Sequence, residues 1–289
     1  METLFHYCSP STFVAMVSQR HIWLSSLTLS NDYMEGKLLA STFQKIFDKY
    51  SLEKEQISTL NDALRTLSDL FDGLGFCLSE ERDLLSQWRG YAADGQGFSV
   101  GFSKEYLNRL AEQQVLDEPR FSLKQVIYDP IAQESALMPT YNEFKTEIDA
   151  GKLKFPYPPG LLFHDDVAAN ERYEQERKQY EEALRTVLVK ILGAIGNLYT
   201  LKNQAFSEEK EWRLISYLTK SASDRCMYRA SGNRLIPYRV FDLKHLDTPS
   251  ILEVIIGPKN VTPEFVVEKM LDQHGFSQVQ VRRSTATYR

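Results

Sequence analysis

The residues most able to do chemistry lie within Phe206–Tyr217 (FSEEKEWRLISY), where four charges and a tryptophan lead directly into an apolar run. Read with the two-residue period of a strand, Glu209, Glu211 and Arg213 share one face, and Lys210, Trp212 and Leu214 the other. Two carboxylates two residues apart with an arginine beside them can act as acid and base or stabilise an oxocarbenium ion. Their repulsion raises one pKa, and the arginine lowers it. The same residues also suit a plain ion pair at the end of an edge strand, since structural networks perturb carboxylates too. Composition alone leaves both readings open.

Two further groups carry chemistry. Phe5-His6-Tyr7 places a histidine near the start of the chain, either as a satisfied structural residue or as a hydrogen-bonding anchor for a polar ligand. In Phe76–Ala92 (FCLSEERDLLSQWRGYA), Ser79 ends one element, and Trp88, Arg89 and Tyr91 come near the end of the next. An aromatic pair with an arginine beside it can stack on a flat heterocycle, and it can equally well pack a core. The string Gly97-Phe98-Ser99-Val100-Gly101 satisfies GxSxG. A nucleophile elbow, however, needs an apolar strand before the serine and a helix after it, and here a polar turn precedes a strand. There is no GxxxxGK[ST], GxGxxG after a strand, HExxH or CxxC, so nothing points to a P-loop or to a metal site.

The elements that must position these residues follow from periodicity and punctuation. Leu4–Tyr7 reads as a strand, Ser9-Pro10 as a helix start, and His21–Leu29 as a second strand. Asn31-Asp32 marks a turn. Leu38–Tyr50 and Leu52–Phe71 read as helices, Gly73–Ser79 as a buried strand, Glu80–Tyr91 as a helix, and Gly97–Phe102 as a strand. Ser103 caps a helix to about Gln114, and Phe121–Asp129 is extended. The stretch 130–166 holds Pro139, Pro156, Pro158, Pro159 and Gly160 and reads as an irregular surface excursion. Val167–Leu198 is a long helix, charged in its first half and apolar in its second, so its second half is expected to be buried. Strands at Trp212–Leu218, Arg234–Leu243, Ile251–Gly257 and Gln278–Arg283, with a helix at Thr262–Gln273, complete the chain. Short strands in clusters without a βαβ rhythm indicate an α+β class. The expectation is a mixed or mostly antiparallel central sheet with flanking helices, in a single domain over 1–289.

The 289 residues are 43% hydrophobic, enough for a sizeable core. The longest apolar run, near Val187–Ile195, is interrupted by Lys190 and is too short to span a bilayer, so no membrane association is expected. Three widely spaced cysteines (Cys8, Cys77, Cys226) form no framework, which suits a reducing cytoplasm. A formal net charge of −5 argues against non-specific nucleic-acid binding, which depends on phosphate neutralisation.

Taken in order, several stretches together resemble the domain-of-unknown-function 2971 family. They run from Leu4-Phe5-His6-Tyr7 through Ile22-Trp23-Leu24-Ser25, Asn31-Asp32 and Glu35, then Phe76–Ser79 and Gln87–Ala92, to Gly97–Phe102 and Val126-Ile127-Tyr128. The series ends with Lys202 and Phe206 ahead of Glu209–Arg213, with Ile255–Pro258, and with Ser284, Tyr288 and Arg289. A weaker similarity is to the ADP-ribosyltransferase fold, which places a histidine or arginine early, a serine or tyrosine mid-chain, an aromatic on the helix after it and a late glutamate, often in Glu-x-Glu; His6, Ser79, Tyr91 and Glu209-Lys210-Glu211 are similar in type and order. That similarity implies NAD as substrate. His6 would hold the adenosine-side ribose, with Tyr7, Ser79 and Arg213 beside the ligand, and Trp88 or Tyr91 would stack on nicotinamide. Glu211 would stabilise the oxocarbenium ion, and Glu209 would orient the acceptor. The expected activity is therefore an ADP-ribosyltransferase or NAD glycohydrolase. The rival expectation is a non-catalytic binding or regulatory module, of the kind a bacterial phage-defence, toxin or stress system uses.

Overall fold

A computed structural model describes residues 2–30, 34, 36–113, 120–158, 160, 166–221 and 225–288. The Asn31-Asp32 turn, Glu35, Arg289 and the Gln114 helix end lie outside these residues. The chain divides into two compact units, each assembled from separate stretches of sequence.

The first unit comprises 1–31, 72–126 and 205–289. Its strands are β1 (Thr3–Cys8), β2 (His21–Ser26), β3 (Phe71–Ser79), β4 (Phe98–Ser103), β5 (Ser122–Gln125), β6 (Glu211–Thr219), β7 (Met227–Ser231), β8 (Arg234–Asp242), β9 (Ile251–Ile256) and β10 (Gln280–Arg283). Among the described residues these form a ten-stranded open sheet in the order β10-β9-β4-β1-β3-β2-β8-β7, with β6 joined to β3 and β5. The β1–β4, β4–β9, β2–β8, β7–β8 and β5–β6 pairs are antiparallel, and β9–β10 is parallel. The mixed, mostly antiparallel sheet is as the sequence led us to expect.

Helices α1 (Pro10–Gln19), α4 (Leu85–Tyr91), α5 (Lys104–Glu112) and α8 (Glu264–Gln273) flank it. Ser9 and Ser103 cap α1 and α5 as their hydroxyls suggest, accepting from Thr12 N and Tyr106 N.

Alternation along the strands assigns the two faces of the sheet. Leu4 and Cys8 of β1, Phe98, Val100 and Phe102 of β4, Leu74, Phe76 and Leu78 of β3, and Leu214 and Leu218 of β6 build the main core. Phe5 and Tyr7 point the other way, into a smaller cluster with Trp88, Ala92 and Ile255. The position of each candidate side chain follows from this alternation.

The second unit, 32–71 with 127–204, is helical: α2 (Leu38–Lys49), α3 (Lys54–Leu70), α6 (Pro130–Asp149) and α7 (Val167–Ile191), followed by a 3-10 turn over Leu192–Asn197. Its core is aromatic, with Tyr50 stacked on Tyr141 at 5.0 Å and Phe43 beside Phe144 at 6.1 Å. In the apolar second half of α7, Ala183, Val187 and Ile191 are buried at helical spacing, as expected.

Several boundaries differ from the sequence reading. Residues 130–149 are a helix, not an irregular excursion. Asp129 caps it, Pro130 occupies its first turn, and Leu137, Thr140, Tyr141, Phe144 and Ile148 bury one face, which outweighs the bond lost at Pro139. The helix expected from Glu80 begins only at Leu85, because Glu81 and Asp83 are held in a loop by tertiary hydrogen bonds. The extended run Phe121–Asp129 shortens to β5, since Asp129 is already a helix cap. Strand β7 was not foreseen.

Candidate functional site

The Glu209–Arg213 segment is not a continuous strand. Glu209 ends a 3-10 turn over Gln204–Glu209, Lys210 takes a left-handed backbone (φ 41°), and β6 starts at Glu211. A lysine there is unusual for a side chain with a Cβ, and two fixed contacts accompany it. Its carbonyl accepts from Glu80 N (3.2 Å), and its ammonium pairs with Glu81. The kink leaves Glu209 buried at 7% exposure and Glu211 at 5%.

Glu211 and Arg213 form a two-pronged ion pair: Nε to Oε1 at 2.7 Å and Nη2 to Oε2 at 2.9 Å. Arg213 is 1% exposed. Both carboxylate oxygens of Glu211 thus face a guanidinium of its own strand. Glu209 is held differently. Its backbone carbonyl accepts from Ser79 Oγ (2.6 Å), and its Oε1 accepts from Tyr91 Oη (3.4 Å). The Ser79 hydroxyl also accepts from Glu81 N (3.0 Å), so Ser79, 2% exposed, joins the end of β3 to the Glu209 turn.

The aromatic candidates separate. Trp88 is fully buried, its indole N–H donating to Asp83 (2.7 Å), and its ring meets Tyr7 edge-on at 4.9 Å. The Tyr7 hydroxyl donates to Glu81 O and accepts from Leu84 N, and burial pushes its pKa up. Both residues are core, with no surface left for a ligand. Tyr91 is 43% exposed and lines an open cleft of about 440 Å³ with Ser25, Gly75, Cys77, Arg229, Ser231 and Arg234. These residues extend from the Gly75–Cys77–Ser79 face of β3.

His6 is turned to the opposite face of the sheet. It pairs with Val100, stacks on Phe76 (ring centroids 4.0 Å apart), and its Nδ1 lies 2.8 Å from Cys77 O. Burial strips water from the ring and lowers its pKa to about 4, against a small raising effect of the Cys77 carbonyl. The structure therefore brings together Ser79, Tyr91 and Glu209, with Glu211 and Arg213 beside them on the same side of β6. Of the sequence-predicted residues, Tyr91 is the one that lines the cleft, with Glu209 behind its hydroxyl; His6, Tyr7 and Trp88 do not line it.

Ser99 of the GxSxG string lies inside β4, fully buried, with its hydroxyl donating to Arg82 O (3.1 Å). Gly97 is a glycine because a Cβ there would lie 2.0 Å from Cys8 O. Neither observation describes a nucleophile elbow. Among the described residues no group of three or more His, Cys, Asp or Glu is placed to hold a metal ion.

The cleft residues Ser25, Arg229 and Arg234 were missed with β7. The signal was present: Gly232-Asn233 separates Met227–Ser231 from Arg234–Asp242, a two-residue hairpin turn with Gly232 at φ 58°.

Residues 87–214 match the model of a family described as a protein of unknown function, DUF2971. This is the family that the ordered stretches resemble. The match includes Trp88, Tyr91, Glu209, Glu211 and Arg213. No curated protein and no solved structure matches the chain.

Proposed function

We propose, for a chain whose family carries no assigned activity, that the cleft beside Tyr91 binds a nucleotide of the NAD type and that Glu209 acts on its glycosidic bond. The reading rests on the Tyr91–Glu209 contact: an exposed aromatic ring on a cleft wall, hydrogen-bonded to a buried carboxylate. An aromatic face can stack on nicotinamide or adenine. A buried carboxylate answers the positive charge that develops as the leaving group departs, and does so more strongly than it would in water. In this reading Glu209 takes the electrostatic role and Glu211 orders Arg213.

The test is NAD binding and NAD consumption by wild type, Glu209→Gln and Tyr91→Ala. Removing the Glu209 charge is expected to lower turnover by ~10²–10³ while changing NAD affinity little, because the charge it answers exists only in the transition state. Tyr91→Ala is expected to weaken binding. Glu208→Gln, an exposed position in the same turn, is expected to be neutral.

The second reading is a non-catalytic nucleotide-binding or regulatory module. The Glu211–Arg213 pair and the half-buried His6, stacked on Phe76, favour it, since these residues already serve the fold. NAD bound without being consumed selects that reading. A wild type that neither binds nor consumes NAD removes the first reading.

A further inference from the structure

Arg229 is the polar group the fold leaves least satisfied on the cleft. It sits on β7, half-buried, and its Nε is buried with no hydrogen-bond partner. Its Nη2 donates to the Ser25 hydroxyl at 3.4 Å. Among the described residues no carboxylate pairs with it. A buried guanidinium nitrogen without an acceptor is costly, and such groups are often answered by a ligand or an ion. The planar fork of an arginine matches two oxygens of one anion. Ser25, Ser231 and Arg234 line the same cleft and supply further donors. Arg234 is itself tied to Leu29 O at 3.1 Å, which leaves Arg229 the less engaged of the two cations.

We propose that Arg229, with Ser25 beside it, anchors a phosphoryl group of the ligand that occupies the Tyr91 cleft. The inference rests on that cleft being the ligand site and is independent of any bond cleavage. The ring and the guanidinium line one cleft of about 440 Å³, a volume suited to a small molecule. The pair would recognise the two features a nucleotide combines, a flat heterocycle and a charged phosphate.

The experiment is calorimetric titration of the full chain with ADP, adenosine, inorganic pyrophosphate and succinate. ADP is expected to bind at least about tenfold more tightly than adenosine, the scale of one charged hydrogen-bonded contact. Arg229→Gln is expected to lose that advantage for ADP and pyrophosphate and to leave adenosine unchanged. Arg109→Gln removes the same charge from α5, where Arg109 pairs with Glu105, and is expected to change nothing. If Arg229→Gln melts below wild type, Arg229→Lys keeps the charge without the fork and is expected to bind ADP with intermediate affinity.

Equal affinity for ADP in wild type and Arg229→Gln overturns the proposal, as does succinate binding as tightly as pyrophosphate. Absence of binding by ADP and pyrophosphate overturns it as well. The two readings fail separately. Arg229-dependent ADP binding without NAD turnover leaves this inference standing and removes catalysis. NAD turnover with an unchanged KM in Arg229→Gln does the reverse.

Discussion

At the residue scale, His6 carries a consequence that needs no ligand. Its folded pKa of about 4 lies below the ordinary histidine value of 6.5, because burial disfavours the imidazolium. The sign follows from linkage. Above pH 6.5 both states are neutral and His6 costs nothing. Between about 6.5 and 4 the unfolded chain takes up a proton that the native ring refuses, so stability falls as pH falls. The full cost is at most about 3 kcal/mol, reached below pH 4. Urea melts between pH 7 and 5 are expected to show this loss, and His6→Asn is expected to flatten the slope in that window. An unchanged slope in the variant would place the titration elsewhere.

At the element scale, a two-pronged ion pair sits at the entry of β6. The Glu211–Arg213 fork has two short bonds and almost no solvent exposure. Removing one side of such a buried pair takes two charge-assisted hydrogen bonds from the other, which costs about 3–5 kcal/mol. Glu211→Ala is therefore expected to lower the unfolding free energy from chemical denaturation by that amount. Arg213→Lys is expected to cost part of it, because lysine lacks the fork. A near-neutral Glu211→Ala would show that the pair is dispensable to the fold.

The same strand marks what could be read from the sequence. Its apolar alternation from Trp212 onward was legible, and so was the placing of Glu211 and Arg213 on one side. The left-handed Lys210 was not, because nothing in local composition signals a positive φ at a lysine. Facing was the other limit. The period of two shows that His6 and Tyr7 point apart, but which of them meets the main core depends on pairing with β4, nearly a hundred residues away. Helix α6 was hidden by Pro139, whose lost bond is a local fact while the burial of Leu137, Tyr141 and Phe144 is a tertiary one. The cleft escaped because its walls come from β2, β3 and β7, and β7 was not recognised.

At the scale of the whole molecule, two carboxylates help fasten the segment 284–288 to the rest of the first unit. Asp83 accepts from Trp88 Nε1, Ser284 Oγ, Thr285 N and Thr285 Oγ1. Burial alone would raise its pKa, but these hydrogen bonds together hold it below the ordinary aspartate range. Asp94 accepts from Tyr288 Oη (2.6 Å) and pairs with Lys259, whose ammonium lies over the Tyr288 ring. Asp83→Ala is expected to cost about 2–3 kcal/mol, the scale of hydrogen bonds to a charged acceptor, and to leave the indole N–H of the buried Trp88 without its acceptor. Limited proteolysis should then trim the end of the chain faster than in wild type. Equal trimming rates would mean that Asp94 and Tyr288 hold the segment unaided.

The discontinuous layout of the sheet also bears on how the protein is made. The middle strands leave the ribosome early, yet β2 waits for β8 and β4 waits for β9, both from the last fifth of the chain. Until then the nascent chain carries open strand edges that can pair with other molecules. The helical unit, whose last stretch ends at residue 204, can settle while those strands are still waiting. When synthesis has reached residue 204, the sequence of α2, α3, α6 and α7 is complete while the partners of β2 and β4 are still unmade.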